Sequence, residues 1–251
     1  MTPETLAALR RVSTATLTTQ MFKRGFRNVF MQGVRALGTY GENMVGPATT
    51  VRNIPSREDI DVSASLANPE HPQRKAVETC KAGHVLVMDC RGDARAASGG
   101  DILMMRLLRR GAAGVVTDGG IRDAGPISKM TLPVFCAGPS APLNIVRHHA
   151  VEIDAPVACG GVAVYPGDIL VGDTDGVVVL PAHLADEVAR DAAAQEELEA
   201  FILMKIDAGA SLPGTYPPNA ATLAEFEAWK AAQAKPEGKG KGKKNAKKPK
   251  G

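Results

Sequence analysis

Apolar and polar positions follow two rhythms along this chain. Residues 2–11 carry helical spacing, and Ser13 or Thr14 can cap a second helix that reaches towards Gly25. Residues 43–53 read as a strand, and 57–61 begin a connection. Residues 72–81 read as a helix ended by Gly83, and 84–90 as a strongly apolar strand. Further strands are predicted at 133–137 and 157–164, and a strand pair at 169–172 and 176–180 around an Asp/Gly turn. Residues 182–208 predict a long helix rich in Ala, Glu and Leu with Gly209 beyond its end. A final amphipathic helix at 220–234 carries Trp229. Strands alternate with helices in the first half and cluster in the second, which predicts a layered α/β domain with a mixed sheet over residues 1–234.

Residues 99–123 are the most informative stretch. Gly99 and Gly100 precede Asp101, and Ile102, Leu103, Met105, Leu107 and Leu108 follow at roughly helical spacing. Arg106, Arg109 and Arg110 occupy the polar face and last turn, where cations suit the helix dipole, and Gly111 can cap the C-terminus. Residues 113–117 read as a short buried strand, broken by Gly119 and Gly120 before Ile121, Arg122 and Asp123. A helix start and a strand exit then face one cleft, with backbone N–H groups, a guanidinium and two carboxylates. Such a site suits an anionic carboxylate substrate beside a divalent cation.

Twenty residues separate Asp101 from the Arg122–Asp123 pair. This spacing resembles the signature of the family that unites the regulator of ribonuclease E activity A with the class II pyruvate aldolases. The likeness extends over residues 46–51, 133–135, 165–168 and 172–181, and covers roughly residues 5–210. The resemblance implies an α/β/α sandwich related to swivelling phosphohistidine-type domains, assembled as trimers or hexamers with sites between subunits. It implies metal-dependent cleavage of a 4-hydroxy-2-oxo acid to pyruvate, accompanied by oxaloacetate decarboxylation. Asp123 would hold Mg²⁺ or Mn²⁺, and Arg122 would bind the substrate carboxylate and the enolate. Asp101 would orient a water, while Gly99, Gly100 and the N–H groups of Ile102 and Leu103 cradle the carboxylate. Glu199, or alternatively Glu196 on the same face, would reach the neighbouring subunit's site. Some members only regulate the ribonuclease, so a non-catalytic protein that binds ribonuclease E is the alternative.

Each residue also has a plainer reading. Asp123 can be a turn or capping aspartate, Arg122 a surface ion pair, Asp101 a complement to the helix dipole, and the glutamates a solvated face. Turn structure fully accounts for Asp168, Asp173 and Asp175. The chain has no glycine-rich nucleotide loop followed by a ribose-binding acid.

Composition adjusts this picture at a few points. The net charge of +3 hides a mildly acidic body, because residues 235–251 set many lysines against Glu237 alone. That segment has almost nothing to bury and reads as a disordered basic tail without a specific nucleic-acid partner. The four cysteines are scattered and read as buried thiols, and the histidines lack metal-ligand spacing. No apolar run approaches a membrane span, and no signal-type segment opens the chain, so a soluble cytoplasmic protein is expected.

Overall fold

The computed structural model describes residues 1–233. The basic segment at 235–251, with its expected disorder, lies outside them. The chain divides into two compact units, Met1–Glu196 and Glu197–Gly251.

The first unit opens with α1 (Pro3–Leu9) and α2 (Thr14–Lys23), each capped by the side chain before it, Thr2 and Ser13. There follow β1 (Arg35–Ala36), β2 (Met44–Pro55), α3 (Pro72–Thr79), β3 (Val85–Asp89), α4 (Asp101–Arg109), β4 (Gly114–Thr117), β5 (Gly120–Ile121) and α5 (Ala124–Ile127). Next come β6 (Val134–Cys136), β7 (Gly138–Pro139), β8 (His148–Ile153), β9 (Val157–Cys159), β10 (Val162–Val164), β11 (Ile169–Gly172) and β12 (Val177–Leu180). Helix α6 (Ala185–Asp207) runs from this unit into the second.

Eight strands form a mixed sheet in the order β1-β6-β4-β3-β2-β11-β12, with β8 added to β2. Strands β2, β3, β4 and β6 run parallel, as helical crossovers require, and the remaining pairs are antiparallel. Strand β2 is twelve residues long and has three partners, with a register shift at Arg52/Asn53 where β8 joins. The break lets the sheet bend, and it is nearly closed and barrel-like.

Alternation along the strands sorts side chains between two faces. Val85 and Val87 of β3, Leu170 of β11 and Val177 and Val179 of β12 point into an interior cluster with Phe135, closed by Val157, Cys159, Val162 and Val164 of β9 and β10. No helix contributes to that cluster. Leu86 and Met88 face outward onto Ala76, Val77, Met104 and Leu107 of α3 and α4. Val171, Val178 and Leu180 face Leu9, Leu17, Met21 and Val188 of α1, α2 and α6. The helices therefore cover only the outer face, and the inner face packs on itself, in place of an open sheet sandwiched between two helical layers.

Other differences are local. The expected strand at 157–164 is a hairpin, because Gly160 and Gly161 both take positive φ. Helix α4 buries Met104 and Leu107 and leaves Ile102 80% exposed. All four cysteines are buried and free, as expected.

In the second unit, Phe201 of α6 packs against Phe226 and Trp229 of α7 (Ala220–Gln233), with ring centroids 5.6 Å away in both cases. Lys205 pairs with Glu225. None of the described helices is long and apolar enough to cross a membrane.

Candidate active site

A cleft of about 350 Å³ opens at the N-terminus of α4. Gly99, Gly100, Asp101, Ile102 and Leu103 form one wall, and Arg122 and Asp123 a second. The predicted cluster is thus assembled by one βαβ unit. The chain enters α4 through extended backbone at Gly100 (φ −132°, ψ −175°) and leaves the following strand pair through Ile121. The Arg122 N–H donates to the Gly99 carbonyl at 3.0 Å, which ties the two walls together.

Space explains Gly100 better than conformation does. A Cβ there would lie 2.8 Å from Asp123 Oδ2 and 3.6 Å from Arg122 Cβ. The missing side chain lets the Asp123 carboxylate sit against the helix entry, where the Asp101 N–H approaches Oδ2 at 3.5 Å. Helix dipole and exposed amide both favour an anion at this point. Asp123 itself adopts left-handed backbone (φ +55°, ψ +37°), a conformation that aspartate tolerates better than most residues. Although it precedes α5, its side chain makes no capping bond there and reaches instead the first amide of α4.

Among the described residues Arg122 has no ion-pair partner, in contrast to Arg106 and Arg110, which both reach Glu78. The ion-pair reading therefore belongs to the arginines of α4 and its cap and not to Arg122. Of the two predicted amide donors, Leu103 N–H already donates to Gly100 O (3.1 Å), so a ligand would share it.

The glutamates of α6 fare differently. Ser13 N–H donates to Glu196 Oε1 at 2.5 Å, which employs Glu196 at the start of α2. Glu199 lies on α6 in the second unit and does not line the cleft. Asp168 serves its own turn, whereas Asp173 serves its turn and also holds the start of α2. Asp173 accepts from the N–H and hydroxyl of Thr14 (2.7 and 2.8 Å), and Asp168 accepts from Tyr165 N–H (2.9 Å). Burial pushes the Asp168 carboxyl above its usual range.

Three further polar side chains line the cleft without any signal in the sequence. Gln73 of α3 donates to the Ser98 carbonyl and so anchors the loop that leads into α4. Arg74, its neighbour, and Asn144 contribute a second guanidinium and a buried amide. Nothing in an ordinary amphipathic helix or in an irregular loop marks these positions.

Asp101 and Asp123 supply only oxygen, the donor set of a hard divalent cation. Among the described residues no group of three or more His, Cys, Asp or Glu converges on one point. Mg²⁺ is suited to such a sparse site, because it keeps several waters and uses one or two carboxylates together with substrate oxygens. The residues present therefore fit the cation that the resemblance implies, with Asp123 as the holding group.

The family described as RraA-like, Aldolase/RraA, matches residues 14–179. A Halalkalibacterium halodurans protein named "Putative 4-hydroxy-4-methyl-2-oxoglutarate aldolase" is 34% identical over 151 residues, 60% of this chain and 66% of that protein. The chain thus spans slightly less than two thirds of that relative's length. Streptomyces coelicolor RraAS2, described as an unusual member of the RNase ES inhibitor RraA protein family, superposes with a TM-score of 0.71 at 34% identity, over 81% of this chain and 98% of its own. An uncharacterized Pseudomonas syringae protein superposes with a TM-score of 0.75 at 25% identity, over 87% and 95%.

Proposed function

This chain belongs to the Aldolase/RraA family, and from that premise we propose that its cleft cleaves a 4-hydroxy-2-oxo acid to pyruvate and a carbonyl product, with oxaloacetate decarboxylation as a side activity. The observation that carries this reading is the Asp123 carboxylate, uncommitted to the cap of α5 and set at the N-terminus of α4, beside an Arg122 that has no ion-pair partner among the described residues. Held by Asp123, Mg²⁺ or Mn²⁺ would supply Lewis acidity to the carboxylate and ketone oxygens of the substrate.

The chain's own groups do the rest. The planar fork of Arg122 binds the 2-oxo acid carboxylate and stabilises the oxygen on which enolate charge develops. Asp101 takes the proton of the C4 hydroxyl through one water. As that proton leaves, the C3–C4 bond breaks, the carbonyl product departs and the electron pair stays on the pyruvate enolate. Protonation at C3 completes pyruvate. Loss of CO₂ from oxaloacetate leaves the same enolate, hence the second activity. Glu199 from a second copy of the chain, in a trimer or hexamer, is assigned the remaining acidic contact near that water.

The alternative, a non-catalytic partner of ribonuclease E, draws on the likeness to RraAS2. Such a binder has no use for a carboxylate and an unpaired guanidinium inside a cleft. Pyruvate release from a panel of 4-hydroxy-2-oxo acids and oxaloacetate, with Mg²⁺ or with EDTA, tests the proposal. Release only with the metal supports it, and no release from any member of the panel refutes it.

A further inference from the structure

The cleft holds more cation than the pyruvate half of a substrate uses. Arg74 sits on α3 with Nε buried and without a hydrogen-bond partner. Its natural partner one turn on, Glu78, is taken by Arg106 at 2.7 and 2.9 Å and by Arg110 at 3.8 Å. No carboxylate among the described residues pairs with Arg74. Asn144, only 8% exposed, lines the same cleft, and its Oδ1 also lacks a partner. A buried polar atom without a partner costs free energy, so two in one cleft wall point to a ligand that supplies what they lack.

Charge identifies that ligand. The charged side chains lining the cleft are Arg74, Arg122, Asp101 and Asp123, which cancel. A divalent cation held there leaves the cleft positive even with one acidic group from a second copy, and Arg74 still lacks a carboxylate to pair with among the described residues. We propose that Arg74 is a specificity-determining residue that binds a second carboxylate, beyond the bond that is cut, and that Asn144 Oδ1 accepts from the substrate hydroxyl. This assignment rests on the aldolase reading of the cleft. Arg122 grips the 2-oxo acid end and Arg74 the far end, so the cleft selects dicarboxylates by a two-point clamp.

Two matched pairs of compounds test it. 4-Hydroxy-2-oxoglutarate and 4-hydroxy-2-oxopentanoate differ only in a distal carboxylate against a methyl group. With Mg²⁺, wild type should favour the diacid in kcat/KM by at least about tenfold, mainly through KM, as expected for one charge-assisted contact. Arg74→Met should collapse that ratio and Arg74→Lys should restore part of it, with circular dichroism unchanged. An unaltered ratio, or equal losses on both acids, overturns the assignment. Calorimetric binding of 2-oxoglutarate against 2-oxopentanoate gives the same comparison without turnover, and an unaltered Kd ratio in the variant also overturns it. Deuterium exchange into the pyruvate methyl group by wild type reports on the enolate chemistry alone. Its absence would count against the aldolase reading, whereas a collapsed Kd ratio would still uphold Arg74 as the reader of a distal carboxylate. If Arg74→Met does not fold, Arg74→Lys serves in both comparisons and must lower the ratio for the assignment to stand.

Discussion

Gly100→Ala separates the architecture of the site from the stability of the fold. The backbone at this position is ordinary extended chain, open to alanine without strain. The added methyl carbon would lie 2.8 Å from Asp123 Oδ2, so the carboxylate must recede by about 0.6 Å to regain an ordinary 3.4 Å contact. Because the obstructed atom ends a side chain at an exposed residue, the fold can accommodate the shift. Alanine is a poorer N-cap than glycine by up to ~1 kcal/mol, and its smaller unfolded-state entropy returns a similar amount. The melting temperature should therefore move by less than about 4 °C. Activity should respond far more. A displacement of this size in a group that positions the reacting atoms costs roughly 10²-fold in kcat. The assay is pyruvate release with saturating Mg²⁺ beside a thermal melt, with Gly41→Ala as control, where an added Cβ meets nothing within 4 Å. Full turnover by Gly100→Ala would refute the argument, as would a melting temperature that collapses together with the activity.

Four further outcomes follow from the same geometry. Asp123→Asn, which tolerates left-handed backbone, should fold normally and lose metal-dependent oxaloacetate decarboxylation; full decarboxylation by the folded variant, or by wild type in excess chelator, would contradict the role given to Asp123. Arg122→Lys keeps the charge but loses the planar fork, and kcat/KM should fall on the order of 10²-fold; wild-type kinetics would make Arg122 structural. Mixing Asp123→Asn with Glu199→Ala subunits should restore part of the activity that each lacks alone; a mixture that exchanges subunits and stays inactive, or an active Glu199→Ala protein, would remove Glu199 from the site. Burial holds His71 and His148 below the usual imidazole range. Their neutral forms are favoured in the fold, so stability should be complete above the unfolded pKa and decline as pH falls below about 6.5. Replacing the fully buried His148 by Gln should flatten that decline, and an unchanged slope would exclude it as a source.

The parts of this molecule that were legible in the sequence are those built from local signals. Gly100, Asp101 and the arginines of the last turn mark α4, and Gly119 and Gly120 mark the exit that delivers Arg122 and Asp123. What escaped depends on partners distant in sequence. Strand β8 begins with His148 and His149, a poor apolar alternation, and exists because it pairs with the far end of β2. The same pairing carries β2 beyond Asn53 to Pro55. Arg74 and Asn144 join the cleft through tertiary packing, so no spacing in the sequence distinguishes them from surface residues. The closure of the sheet on itself escaped for the same reason, since a strand buried on both faces reads alike in a sandwich and in a barrel.

The three-partner strand β2 also dictates an order of assembly. Its parallel contact with β3 closes across α3 alone, and β3, α4 and β4 add the next stretch by local steps. Its antiparallel edge must wait for β8 and, at residues 44–47, for β11, which begins only at Ile169. Until then the apolar faces of α1 and α2 lack most of the sheet they cover, because Val171, Val178 and Leu180 are among their partners. These two helices thus precede, along the chain, most of the strands that bury them. This non-local closure raises the contact order and slows folding, and it leaves an apolar flank uncovered until β11 and β12 join the sheet.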